Sequence, residues 1–160
     1  MTDLLAVYVR NHLAAARGGL DLFRRVARST EGTDAGPEVA ALAAEVDVDL
    51  RTLLAIAQNL GIGENKPFGF AARAGETLGR LKPNGSLVRR SPLTDLIEIE
   101  GLLDAVAAKL AGWNGLLCAP DARIGRVRDR IEDLHRRALD QRSRIHALHD
   151  DAATRVFGTG

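Results

Sequence analysis

Chemistry inside a protein needs side chains that ligate, transfer protons or attack. In this 160-residue chain, few such groups fall on apolar helix faces. Advancing about 100° per residue puts His12 at the centre of the first apolar stripe, with Tyr8 beside it. Asp49 falls within about 60° of the second stripe's centre, with Glu45 at its boundary. Glu100 falls within about 40° of the next centre, and Asn114 lies nearly on it. In the last stripe Gln141 is close to the centre, Arg142 and His149 are nearby, and His135 is about 80° off. His12, Asp49 and Glu100, with His135 as a fourth ligand, make a donor set suited to one Fe or Zn ion. A buried carboxylate is costly unless paired. The competing expectation is therefore a buried polar cluster of His12, Asp49, Glu100, Gln141 and Arg142 sharing hydrogen bonds.

Other chemistries find little support. Cys118 is the only cysteine, which excludes an internal disulfide, a zinc ribbon and a thioredoxin-type pair. It reads as an inert buried thiol on the core side of its helix. Periodicity joins no Ser/His/Asp or Cys/His set, so no catalytic residue is expected. Gly61-Ile62-Gly63-Glu64-Asn65-Lys66 has the glycines of a phosphate loop, but no strand precedes it, and it reads as a helix end plus loop. The arginines of the last helix, Arg123 to Arg144, alternate with Asp129, Glu132, Asp133 and Asp140. No aromatic side chain stands between Trp113 and Phe157 to stack on bases, so nucleic acid is not an expected partner. Net charge is +1, which gives no strong field toward DNA or an anionic membrane. No apolar run approaches the roughly 20 residues of a membrane span. The start of the chain lacks the basic segment of a signal peptide, and a cytoplasmic location is expected.

The elements that must position these groups are helices. Hydrophobic residues make up 46% of the chain but aromatic ones only 4%, and Ala and Leu dominate over β-branched types. Four long helices are predicted, over residues 2–28, 37–60, 92–118 and 121–156. The first has Thr2 as its cap and a stripe through Leu5, Val9, His12, Ala16, Gly19, Phe23 and Val26. The second opens at Pro37 and closes at Gly61, a residue that accepts positive φ. Ser91-Pro92 is a cap followed by a first-turn proline, and it opens a stripe through Leu93, Leu96, Ile97, Leu103, Ala107, Leu110, Ala111 and Leu117. A short helix, residues 68–81, sits in the glycine-rich link between the two pairs. At ~1.5 Å per residue the last helix would be roughly 50 Å long against roughly 40 Å for the others. It must overhang, bend or pack on a partner, and a homodimer through this helix is expected. Trp113, off the apolar centre, is predicted to cover a bundle end or meet another subunit. Two tight helix pairs joined by a long crossover make a single all-α domain, a four-helix bundle whose middle helices run parallel, as in ferritin-like folds.

Some of these residues also carry a resemblance. They are Tyr8-Val9-Arg10-Asn11-His12-Leu13, Arg80-Leu81-Lys82-Pro83-Asn84-Gly85, and Ser91-Pro92-Leu93 leading into Leu96-Ile97-Glu98-Ile99-Glu100. Over most of its length the chain resembles a group of small actinobacterial proteins of ferritin-like, helical-bundle type, a group that brings no assigned reaction with it. The wider ferritin-like superfamily implies a di-iron carboxylate centre, built from a Glu on each of two helices and Glu-x-x-His on each of the other two. This sequence departs from that set. His12 stands where a Glu is expected, the second helix has no His, and Glu132 of Glu132-Asp133-Leu134-His135 points to solvent. The leading expectation is a non-catalytic structural or interaction protein. The alternative is a metal-binding protein, mononuclear or degenerate di-iron, or an oxidoreductase using the inward His/Asp/Glu cluster.

Overall fold

A computed structural model describes residues 2–63 and 91–158, and these residues form helices and turns without strands. The expected short helix over 68–81 lies outside the described residues. Helix α1 spans Leu4–Ser29. Its cap is Asp3 rather than Thr2, because the Asp3 carboxylate accepts from the first-turn amides of Leu5 at 3.1 Å and Ala6 at 3.3 Å. Helix α2 spans Gly36–Asn59, with Pro37 in its first turn. It stops at Gly61, whose φ of +69° lets the Ile62 amide return to the Ala57 carbonyl at 2.9 Å and buries Ile62. Helix α3 spans Pro92–Leu117, opened by Ser91, whose side chain accepts from the Thr94 amide at 3.3 Å.

The predicted last helix is two helices. The short α4, Asp121–Ile124, is followed by a break and then α5, Arg128–Phe157. On either side of the break Ile124 and Val127 are both buried in the core. Arg128 then donates to the Leu117 carbonyl at 3.2 Å and the Ala119 carbonyl at 2.9 Å, satisfying the open end of α3.

The helices close into a bundle in which α1 packs on α2, α3 on α5, α1 on α3 and α2 on α5. Residue pairs fix the directions. Tyr8, early in α1, donates to the Ala111 carbonyl late in α3, while Ser29, at the end of α1, donates to Glu98 early in α3. Glu38, Glu45 and Asp49 of α2 meet Arg144, Gln141 and Arg137 of α5 in reverse order. Both pairs are antiparallel, and the short turn between α1 and α2 makes a hairpin in which Arg24 meets Asp47, so α2 and α3 run the same way at opposite corners of the bundle. Phe23, Leu42, Ile56, Ile99, Leu102, Ile131, Leu134 and Ile145 are fully buried between them. Each such side chain contributes about 1.5–3 kcal/mol of burial. Among the described residues no helix is long and apolar enough to cross a membrane.

One helix is turned from its expected face. The buried residues of α3 include Leu96, Ile99, Leu102, Val106, Leu110, Trp113 and Leu116, whereas Leu93 and Ile97 are exposed. The cause lies in the sequence of α3, which has apolar residues on nearly every side, so its pattern does not single out an inner face. This rotation decides which polar groups reach the middle of the bundle.

Candidate functional site

The centre of the bundle holds an ion-pair cluster. Asp49 lies on the buried face of α2 and is only 3% exposed; Gln141 is fully buried on α5. Between them comes Lys109, the sole basic residue of α3, whose ammonium donates to Asp49 Oδ2 and, at 2.7 Å, to Gln141 Oε1. The Gln141 amide donates to Asp49 Oδ2 at 3.0 Å and to Glu45 Oε2 at 3.2 Å. Arg137 brings Nη2 to 2.9 Å from Asp49 Oδ1, an ion-pair contact without hydrogen-bond alignment. From Glu45 the network runs outward to Arg144, which also pairs with Glu38 at 2.6 Å and Asp140 at 3.1 Å. Hydrogen bonds to Glu45, Glu38 and Asp140 push the Arg144 guanidinium further into its charged form. Burial pulls the Lys109 ammonium below its ordinary value, against the attraction of Asp49.

Of the residues expected to converge, only Asp49 and Gln141 bond to one another. Glu100 sits on the outer side of α3, 53% exposed, with its Oε1 at 3.5 Å from His149 Nε2. The rotation of α3 carries it out of the cluster, and Asn114 with it. Arg142 is exposed, because one step of about 100° from the buried Gln141 turns it to solvent. His135 is half-buried on α5. Cys118 is exposed at the end of α3, and Trp113 is buried at 4% exposure, each the reverse of expectation for the same rotational reason. His12 lies on the α1 face toward α3, and its Nδ1 donates to the Tyr8 carbonyl at 3.0 Å. A carbonyl only accepts, so in the neutral ring Nε2 is left as an acceptor.

These residues do not fit a metal centre. No three of the His, Cys, Asp and Glu side chains among the described residues stand close enough to hold an ion. Asp49 is already faced by an ammonium, a guanidinium and an amide N–H, two of them positively charged. The position where an acidic bundle core would take a metal cation is filled by the chain's own cation, Lys109. Lys109 does not stand out in the sequence, because the leucines of α3 point to a different inner face. The available signal was a lone lysine in a helix otherwise free of basic residues.

Beside the cluster lies a part-open cavity of about 670 Å³ between α1, α2 and α3. Its walls are mostly apolar and small, with Ala16 and Gly19 on α1 facing Ala105 and Ala108 on α3. Asp49 and Lys109 border it on one side, Tyr8, His12 and Trp113 at one end. That end is closed by a tight helix contact: a Cβ on Gly112 would fall on the His12 ring, and one on Gly115 on the Tyr8 phenol. The two rings lie tilted by 36° with centroids 4.2 Å apart, and burial pushes the Tyr8 hydroxyl above its ordinary value. Trp113 Nε1 is buried without a hydrogen-bond partner. No family model matches this chain, and no curated protein or solved structure was found to be similar to it.

Proposed function

We propose that the chain is a ferritin-like helical bundle with a structural or interaction role, carrying no catalysis of its own. Lys109 is the observation that carries this reading, because it closes the central charges of α2, α3 and α5 on one another. A buried polar network of this kind fixes the register of the helices it joins. The parallel course of α2 and α3 supports the ferritin-like assignment, since a long crossover is what permits it. The metal-binding and oxidoreductase reading gains no support, with His12 held by Tyr8, Glu100 outside, and Asp49 already paired.

The partner we propose is a second copy of the chain, met along α5 in the cytoplasm. Leu139 and Phe157 are exposed large apolar residues on that helix, and their spacing of five turns puts them on one face. Light scattering and elemental analysis on one untagged preparation test the reading. The expected result is a particle of two chains without stoichiometric metal. Stoichiometric Fe or Zn that disappears in His12→Ala or Glu100→Gln would establish the metal reading in its place.

A further inference from the structure

We infer that the cavity between α1, α2 and α3 is a binding site for a cationic amphiphile, an alkyl chain ending in an ammonium group, with the chain inside and the ammonium at Asp104. Its volume of about 670 Å³ lies within the range of small-molecule pockets, whereas protein interiors ordinarily leave few voids larger than a water molecule. The walls are mostly apolar, and the facing residues Ala16, Gly19, Ala105 and Ala108 are too short to fill the gap. At one end the space stops where Gly112 and Gly115 bring α3 against His12 and Tyr8. Along α3, Asp104 lies about 12 Å before Gly112, at ~1.5 Å of rise per residue. An octyl chain spans a similar distance.

The charges on the wall define the ligand's head. Asp49 and Lys109 border the cavity but pair with each other, and Arg137 and Gln141 also face Asp49. The Tyr8 hydroxyl donates to the Ala111 carbonyl, and His12 Nδ1 to the Tyr8 carbonyl. Asp104 differs from all of these. It lines the cavity yet is exposed, which places it at the rim, and it has no hydrogen bond or ion pair among the described residues. A carboxylate there attracts a cationic head and repels an anionic one. The chain behind the head takes the apolar walls out of water, while the ammonium keeps its own hydration at the rim. This goes beyond a structural role for the core cluster and does not depend on it.

Calorimetric titration with octylammonium tests this, beside octanoate and 1-octanol of the same chain length and the shorter hexylammonium. Octylammonium should bind saturably, one per chain, and about tenfold tighter than octanoate. It should also bind about tenfold tighter than hexylammonium, since each buried methylene is worth about fourfold in affinity. Asp104→Asn changes an exposed residue and should fold as wild type does. It should weaken octylammonium about threefold, leave 1-octanol unchanged and remove most of the preference over octanoate. A Cβ on Gly19 meets no atom within 4 Å, so Gly19→Leu puts its side chain into the cavity without a clash, and the folded variant should lose octylammonium and 1-octanol alike. The proposal is overturned if octylammonium does not saturate, if octanoate binds as tightly, if Asp104→Asn leaves octylammonium affinity as it was, or if folded Gly19→Leu still binds it.

Discussion

At the scale of single residues, Lys109 distinguishes this core from an ordinary apolar one. It spends part of the stability of its ion pair on its own dehydration, which is why burial draws its ammonium below the ordinary 10.5. In the interval between that lowered value and 10.5 the unfolded chain binds more protons than the folded one. Stability due to Lys109 therefore rises with pH through that interval, and the full cost of burying the charge is felt below it. Lys109→Met lacks this dependence. Urea titrations of both proteins from neutral pH upward should show the wild type gaining on the variant as pH approaches 10.5; a constant difference would contradict the assigned burial. Asp49 and Gln141 were legible because each falls within the apolar stripe of its helix, α2 or α5. Lys109, Glu100 and Trp113 were not, because α3 offers apolar residues on every side. Its inner face is chosen by what α1 and α5 present, which no local pattern contains.

At the scale of elements, caps were easier to read than faces. Ser91-Pro92 and Gly61 act through backbone geometry that a few residues determine, and they open α3 and close α2 where the sequence places them. The α4–α5 break instead brings Arg128 onto the distant end of α3, a contact that no local pattern specifies. The contact between α1 and α3 has a similar non-local origin. Alanine gains roughly 1 kcal/mol over glycine in a helix interior, whereas overpacking a tight core contact costs about 1–3 kcal/mol. Gly112→Ala places its methyl on the His12 imidazole, which is tied by its bond to the Tyr8 carbonyl. Denaturant unfolding should find Gly112→Ala destabilising in the wild type and stabilising by roughly 1 kcal/mol in a His12→Ala background. The same sign in both backgrounds would show that His12 does not set the α1–α3 approach.

At the scale of the whole molecule, Asp49 and Lys109 tie together two helices that stand at opposite corners and are not sequence neighbours in any hairpin. The all-helical bundle was legible from composition and periodicity, as was a link long enough to let α2 and α3 run parallel. The cation at the centre was not, since it arises only when three helices bring their faces to one level. A double-mutant cycle on urea unfolding, with Asp49→Asn, Lys109→Met and the pair, measures that tie directly. Asp49→Asn alone should cost about 3–5 kcal/mol by leaving the ammonium buried without its carboxylate. The double variant should recover much of this, giving a coupling of about 2–3 kcal/mol. A coupling below about 0.5 kcal/mol, with the two losses simply adding, would mean that Lys109 is not the internal counter-ion of Asp49.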